Sequence, residues 1–182
     1  MKSSRTSVRA LAVTALLLGM NIIMSMSVFS VPVPGGHVYL NDVIIVTAAI
    51  LLEPFYAFMV GGVGAFIGDF LFYPQPMFVS LVTHGLQAVV ISLCCRKMLR
   101  TRPILSSAIG SVFGTLITVA GYTLGRAFIY GTPEYAIVKL PFQILQTAVG
   151  SVIALLLCWK LGLAELYKRQ FGSRDQKKHG EA

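Results

Sequence analysis

The chain has 182 residues, of which 55% are hydrophobic and 12% are charged, and its mean hydropathy is +0.76. A soluble domain carries about 25% charged residues, so this composition argues against a water-soluble globular enzyme. The same numbers exclude intrinsic disorder. At about 20 residues per membrane crossing, the chain has room for six transmembrane helices with short loops, and for no second folded domain.

The first apolar run opens the series of predicted helices. From Ala10 to Gly36 no residue is charged, and basic residues precede the run. The run is longer than the apolar part of a signal peptide, and no good cleavage site follows it. We therefore predict a retained helix at about 8–30. The prolines and glycines of 31–36 cannot continue a helix, so they predict a loop.

Prolines separate the apolar runs that follow. Pro54 ends the second run and starts the third, because proline is favoured at the first helical position. Proline inside a helix removes a hydrogen bond, so we expect Pro141 at the start of the last helix. The prediction is an all-α membrane protein whose further helices lie at about 38–52, 54–72, 77–95, 104–130 and 140–162.

Lysine and arginine predict the orientation of this bundle. Thirteen of the 15 lie in three segments: three before Ala10, four in 96–102 and six from Lys160 onward. Basic residues concentrate on the cytoplasmic side, and these segments share one side only if the short run at 38–52 also crosses. We therefore predict six crossings, with the N- and C-termini cytoplasmic and with outer loops at 31–39, 73–76 and 131–139.

The predicted organisation is a six-helix membrane domain over 1–167 and a polar cytoplasmic tail over 168–182, in a multi-pass protein of the cell membrane. The net charge of +8 is explained by this orientation and by contact with the anionic lipid bilayer, so we predict no nucleic-acid partner. The P-loop, H-E-x-x-H and G-x-S-x-G motifs are absent, and the histidines are scattered along the chain. We predict no catalytic residues, no metal site and no cofactor.

Polar side chains inside three of the helices recur at helical spacing. A polar group in hydrocarbon is costly unless it faces a partner or a water-filled cavity, so a polar stripe on one helix face is informative. All three stripes lie in the outer half of the membrane on the predicted topology, which predicts one shared pocket. The stripes are Ser80, His84 and Gln87 in the fourth helix, Thr115, Thr118, Tyr122 and Arg126 in the fifth, and Lys139, Gln143, Gln146 and Gly150 in the sixth.

The sequence leaves several of these roles open. The serine and threonine hydroxyls of the stripes are expected only to form structural hydrogen bonds between helices, since hydroxyls can also satisfy the local backbone. The amides and the imidazole favour the pocket. Arg126 and Lys139 have three equal alternatives: binding an anionic substrate group, pairing with Glu134 or Asp69, or reaching lipid headgroups. Four tyrosines are expected either to stack on a ring or to anchor at the membrane interface, and they are Tyr39, Tyr73, Tyr122 and Tyr130.

Other polar and small residues receive structural roles. Asn41 and Asp42 are expected to cap the second helix. Gly64 and Gly68 are expected to allow close helix packing. Asp69, near the outer end of the third helix, is expected to receive hydrogen bonds from a loop.

Four short stretches, in a fixed order along the chain, carry a family resemblance. They are Ala15-Leu-Leu-Leu-Gly-Met-Asn21, Leu40-Asn-Asp-Val43, Leu52-Glu-Pro-Phe-Tyr-Ala57 running on to Gly64-Ala-Phe-Ile-Gly-Asp69, and Lys139-Leu-Pro-Phe-Gln-Ile-Leu-Gln146. With six predicted helices, this order resembles the substrate-binding S components of energy-coupling factor (ECF) vitamin transporters over residues 8–163. The likeness is greatest to the branch with riboflavin, pyridoxine and hydroxymethylpyrimidine carriers.

The resemblance implies a subunit that binds a vitamin from outside with high affinity. It also implies a transmembrane scaffold subunit and two cytoplasmic ATPase subunits that drive uptake, so the chain itself is not an enzyme. In the family a surface of small residues on the first helix docks the scaffold, and Ala15 and Gly19 match it, although spacing alone leaves core packing equally open. Gln143 stands where the family usually has asparagine, a difference that bears on the ligand.

The expected function is capture of a water-soluble vitamin or precursor, with a pyridoxine-like or hydroxymethylpyrimidine-like ring favoured. The alternatives are the same role with cobalamin or riboflavin, or a structural membrane subunit whose polar stripes only join helices. In the family, the outer loops and the outer parts of helices four to six line the site. The expected substrate-binding residues are therefore His37, Tyr39, Tyr73, His84, Gln87, Tyr122, Arg126, Lys139, Gln143 and Gln146.

Overall fold

The computed structural model describes residues 4–26, 30–34, 36–99 and 101–171. These residues form seven helices and one antiparallel hairpin. The first six helices agree in order with the predicted runs, and the seventh, at Leu163–Phe171, was not predicted. The elements are α1 Ser4–Met24, β1 Ser30–Val33, β2 Gly36–Tyr39, α2 Asn41–Leu51, α3 Pro54–Phe72, α4 Met77–Lys97, α5 Pro103–Tyr130, α6 Pro133–Lys160 and α7 Leu163–Phe171.

Proline marks the start of three of these helices. Pro54, Pro103 and Pro133 occupy the first turn of α3, α5 and α6, where a backbone N–H has no partner within the helix. π-Helical turns then interrupt the regular pattern, one inside α3 and one at the end of each of α5 and α6. The turn that ends α5, Arg126–Tyr130, widens the helix at the position of the arginine.

The sixth predicted helix begins earlier than expected. It starts at Pro133, and Pro141 lies in its interior, so the expectation that Pro141 starts the helix is wrong. Thr132 caps the true start, because its Oγ1 accepts a hydrogen bond from the backbone N–H of Tyr135 at 3.3 Å. Membrane helices tolerate an interior proline when neighbouring groups satisfy the freed carbonyl. Lys139 therefore lies on α6, and the predicted loop at 131–139 shortens to residues 131 and 132.

The predicted first outer loop contains a β-hairpin, so the fold is not purely all-α. Ser30 pairs with Tyr39, and Pro32 with His37. The prolines prevent a helix here, and the β-branched valines of the segment favour an extended backbone. The hairpin leads directly into α2 and lies at the same end of the bundle as residues 73–76 and 131–132.

Two predicted boundaries also move. α1 ends at Met24 instead of near residue 30, and Ser25 Oγ donates to the carbonyl of Asn21 at 3.0 Å just beyond that end. At the other end of the chain α7 packs Ala164 and Tyr167 against the core. The predicted boundary between residues 167 and 168 falls inside α7, and residues 172–182 of the predicted tail lie outside the described residues.

Helix α2 is the centre of the packing. It contacts α1, α4 and α6, and its aliphatic residues from Ile45 to Ala49 are almost wholly buried. Helices α1 and α3 approach closely at two glycines: a Cβ on Gly64 would lie 2.7 Å from Nδ2 of Asn21, and one on Gly68 would lie 2.6 Å from Cβ of Ser25. The prediction that Gly64 and Gly68 serve helix packing is confirmed.

Four of the described helices are long and apolar enough to span a membrane: α3, α4, α5 and α6. The apolar parts of α1, Ala10–Met24, and of α2, Asn41–Leu51, are shorter. Large hydrophobic side chains such as Phe128 and Ile137 are strongly exposed on the outside of the bundle. Lipid, not water, suits such a surface.

Candidate functional site

A cavity of about 310 Å³ lies beneath the hairpin, between the ends of α3 to α6. Three helical stripes meet there because each one turns its polar face away from lipid. Nine of the ten expected binding residues line the cavity: His37, Tyr39, Tyr73, His84, Tyr122, Arg126, Lys139, Gln143 and Gln146. Further lining residues, which the expected set omitted, are Ser25, Asn41, Asp69, Pro76, Tyr130 and Tyr135.

Gln87 is the expected binding residue that does not line the cavity. It is fully buried one layer further in, where its Nε2 donates to Oδ1 of Asp42 at 2.9 Å and its Oε1 lies 2.7 Å from Nδ1 of His84. Because Oε1 is only an acceptor, Nδ1 of His84 must carry the hydrogen of this bond. In this Nδ1–H tautomer the other ring nitrogen, Nε2, is an acceptor.

Asp42 joins three elements at the back of the cavity. Its carboxylate is fully buried and accepts from Nε2 of Gln87 and, at 3.0 Å, from Nε2 of Gln146. α6 reaches this carboxylate because it carries Gly150, where a Cβ would lie 2.5 Å from Cβ of Asp42. The expectation that Asn41 and Asp42 cap α2 is wrong, since Leu40 is the N-cap residue and no side chain caps it.

The hairpin forms the roof of the cavity and is tied to α6 by two hydrogen bonds. Nζ of Lys139 donates to the carbonyl oxygen of His37 at 2.6 Å. The backbone N–H of Tyr39 donates to Oε1 of Gln146 at 3.1 Å. The amide of Gln146 thus bonds the roof with its oxygen and Asp42 with its nitrogen.

A second polar chain crosses the wall between α3, α4 and α5. Ser80 Oγ donates to Oδ2 of Asp69, and the hydroxyl of Tyr122 lies 2.5 Å from the same Oγ. Asp69 therefore receives its hydrogen bond from a helix instead of from the expected loop. The expectation that these hydroxyls only join the structure is confirmed for Ser80, which bonds side chains of α3 and α5. It is also confirmed for Thr118, which donates to the carbonyl of Gly114 at 3.1 Å.

Two buried cations stand on the α5 and α6 side of the cavity. Arg126 is 6% exposed and Lys139 is 3% exposed, so neither extends to lipid headgroups. Nη2 of Arg126 donates to Oε1 of Gln143 at 2.7 Å, and the guanidinium carbon lies 5.3 Å from the ring centroid of Tyr122. Neither cation forms an ion pair with Glu134 or Asp69 in the described part of the chain. Binding of an anionic substrate group is the alternative that this leaves.

Tyrosines supply aromatic surface around the cavity mouth. Burial raises the pKa of Tyr39 and of Tyr73, so both remain neutral phenols at neutral pH. The hydroxyl of Tyr73 donates to Oε1 of Gln75 at 2.8 Å. The ring of Tyr122 meets that of His84 edge to face, with centroids 5.3 Å apart. Such walls suit a flat ring that needs both stacking and hydrogen bonds.

The expected docking residues lie far from the cavity contacts, on α1. Ala15 is exposed, and a Cβ on Gly19 would meet no atom of the described residues within 4 Å. Large apolar side chains of α1, such as Leu16 and Met20, are exposed beside them. Ala15 and Gly19 therefore do not pack against other described residues of this chain, and docking of a partner remains the prediction for them.

Within the described ranges, no group of three or more histidine, cysteine, aspartate or glutamate side chains is arranged to hold a metal ion. The cavity lining is instead made of amide, imidazole, phenol, guanidinium and ammonium groups. These groups bind an organic molecule by hydrogen bonds and stacking. The arrangement is that of a receptor for a small polar ligand.

Known proteins agree with this interpretation. The chain is 28% identical over 144 residues to an uncharacterised protein of Pyrococcus woesei, described as encoded in a gap 3′ region, and the match covers 78% of this chain and 90% of that protein. The profile of the family described as ECF-type riboflavin transporter, S component, matches residues 5–163. The chain belongs to this family of membrane-embedded, substrate-binding subunits of vitamin transporters.

Proposed function

We propose that this subunit captures a water-soluble vitamin or vitamin precursor in the cavity beneath the hairpin. The observation that carries the proposal is the meeting of nine residues from the hairpin, the α3–α4 connection and helices α4 to α6 around one space of about 310 Å³. That volume is at the lower end of the roughly 300–1,000 Å³ usual for small-molecule sites. A single or fused ring system suits it, and the much larger corrin ring of cobalamin does not.

Two ring classes remain in competition. A pyridoxine-like or hydroxymethylpyrimidine-like ring is supported by the acceptor Nε2 of His84, by the amide of Gln143 and by the phenols of Tyr39 and Tyr122, which match ring nitrogens and hydroxyls. Riboflavin is supported by the name of the family. We favour the smaller ring, because the cavity is small, about 310 Å³, and polar side chains line it from the hairpin and from helices α4 to α6.

The distribution of charge supports a cavity that opens outward. The end of the bundle opposite the hairpin is basic: it carries Arg96 and Lys97 in the last turn of α4, Arg102 just before α5, and the helix α7. Basic segments remain on the cytoplasmic side. With α1 and α2 counted as crossings, the chain has six spans, cytoplasmic termini and its hairpin outside.

Transport needs partners beyond this chain. We infer that the exposed face of α1 around Ala15 and Gly19 docks a transmembrane scaffold subunit, because small residues let two helices approach closely in lipid. Two cytoplasmic ATPase subunits would then supply the energy. The chain itself has no P-loop, which is consistent with ATP hydrolysis on other subunits.

Calorimetric titration of the purified full-length protein tests the capture role. Pyridoxine, hydroxymethylpyrimidine, riboflavin and cobalamin are added separately, and we expect one of the ring compounds to bind and cobalamin not to bind. Gln143→Leu should weaken that binding at least roughly tenfold, since it leaves ligand and arginine groups unpaired. Thr118→Val is the matched control, because Thr118 is buried on α5 and bonds only its local backbone.

The outcome separates capture from a purely structural role. If folded wild-type protein binds none of these compounds, and mass spectrometry finds no small molecule carried through purification, the capture proposal fails. In a structural subunit Gln143→Leu would change only the melting temperature. If Gln143→Leu bound the ligand as tightly as the wild-type protein, the binding site would lie outside this cavity.

A further inference from the structure

We propose that the substrate carries an oxyanion group, a carboxylate or a phosphate, which binds between Arg126 and Lys139 under the hairpin. The proposal rests on the proposed function, because it names the chemical class of the molecule held in the same cavity. A neutral ring needs phenols, amides and an imidazole, and it does not need two buried cations. The cations therefore require a reason of their own.

Neither cation has an ion-pair partner among the described residues. Both residues line the cavity and are more than nine-tenths buried. In the part of the chain that the structure describes, the ion pair is that of Arg169 with Glu165 on α7, far from the cavity. Asp69 lines the same cavity, but its carboxylate bonds a serine of α4. Buried charge without a partner is costly, and a bound anion removes that cost.

Free hydrogen-bond donors lie beside these charges. Nη1 of Arg126 and Nε2 of Gln143 are buried, and neither has a partner among the described residues. The two side chains are already bonded through Nη2 and Oε1. Since only the amide oxygen can accept from arginine, this bond leaves Nε2 of Gln143 as a donor. Two adjacent donors, one of them charged, match the two oxygens of a carboxylate or phosphate.

The opposite wall has the complementary character. In the Nδ1–H tautomer of His84, Nε2 is an acceptor, and the carboxylate of Asp69 adds acceptor oxygens on the α3 and α4 side. Tyr122 stands between the walls, with its hydroxyl toward Ser80 and its ring facing the guanidinium of Arg126. A ligand with a donor-bearing ring at one end and an oxyanion at the other satisfies both walls at once.

Matched pairs of compounds test this proposal on the wild-type, full-length protein. The pairs are nicotinate with nicotinamide, pyridoxal 5′-phosphate with pyridoxal, and FMN with riboflavin, each titrated calorimetrically. We expect the anionic member of one pair to bind more tightly by roughly tenfold or more, the effect of a hydrogen bond to a charged group. The first pair detects a carboxylate and the other two detect a phosphate.

Substitutions then locate the preference. In Arg126→Gln and Lys139→Gln the ratio of affinities within that pair should fall towards one, because each removes a charge beside the oxyanion. The ratio is the readout, since Lys139 also holds the hairpin and its loss weakens both members. Arg102→Gln is the control: it removes one positive charge from an exposed site at the opposite end of the bundle.

The possible results separate this proposal from capture itself. If a neutral member binds at least as tightly as its anionic partner in every pair, the oxyanion proposal is overturned while capture stands. If no member of any pair binds to folded protein, the oxyanion proposal is overturned, and capture falls with it when pyridoxine, hydroxymethylpyrimidine and mass spectrometry of the purified protein also give no ligand. Because the wild-type ratios decide between these outcomes, a variant that does not fold leaves the conclusion unchanged.

Discussion

Lys139 on α6 donates a 2.6 Å hydrogen bond to the backbone carbonyl of His37, which lies 102 residues earlier in the chain. A buried ammonium group thus holds the roof of the cavity on its wall. A backbone carbonyl is satisfied by any donor that reaches it, so this contact depends on the length of the lysine side chain and on its place on α6. A substitution of Lys139 alone should therefore change how firmly the hairpin is held.

Lys139→Met should loosen the hairpin. The side chain keeps most of its length but loses the donor, and a hydrogen bond to a charged group contributes about 1.5–3 kcal/mol. We expect amide hydrogens of β2 to exchange roughly tenfold to a hundredfold faster in the ligand-free protein. Hydrogen exchange read by mass spectrometry checks this, with the exposed Lys160→Met as control. Unchanged exchange in β2 would show that this hydrogen bond does not hold the hairpin.

Asp42→Asn should destabilise the bundle without changing its volume. The carboxylate of Asp42 now accepts one hydrogen bond from each of two glutamine side chains. In asparagine one of the two oxygens is replaced by an NH₂ group, so one buried glutamine donor loses its acceptor. The expected loss is about 1–3 kcal/mol of unfolding free energy, measured as a lower melting temperature in detergent. Glu165→Gln, a substitution of an exposed carboxylate, should change it little. Equal melting temperatures for both variants would contradict a stabilising role for the Asp42 hydrogen bonds.

Gly19→Leu should block docking of the scaffold while it leaves ligand binding intact. A leucine fits sterically within this chain, because a Cβ on Gly19 meets nothing among the described residues, but it would separate a partner helix packed on that face. Co-purification with the scaffold subunit checks the first effect and calorimetric titration checks the second. Ala120→Leu places the same side chain at an exposed position of α5 and should leave both docking and ligand binding unchanged. Normal complex formation by Gly19→Leu would place the docking surface elsewhere.

The family and the membrane location could be predicted from local sequence. The apolar runs, the proline breaks and the short motifs each occupy one stretch of chain, so they needed no knowledge of tertiary contacts. The family match confirms the resemblance to ECF S components, without its specific branch, and confirms a multi-pass membrane protein. The three polar stripes that contain His84, Arg126 and Gln143 were equally accessible, because helical periodicity alone puts the polar residues of each helix on one face of that helix.

The parts that sequence missed depend on contacts between distant residues. Asp42 follows a helix start, so a capping rule applied, yet α4 and α6 supply its real partners. Gln87 shares the spacing of His84, and periodicity does not distinguish a residue at the cavity from one behind it. Because proline is unfavourable inside a helix, the sequence rule favours a helix start at Pro141. In the structure, Thr132 and Pro133 already form the helix start eight residues earlier.

Gln146 is held on both sides, by the backbone of Tyr39 above it and by Asp42 below it. If the four-residue strand β2 moved away from the bundle, Gln146 would lose only its upper bond, and Asp42 would keep the amide in place. The walls of the cavity would then remain assembled without the hairpin above them. A ligand would meet prearranged walls and would order little besides one short strand, so little of its binding energy would be lost to organising the protein.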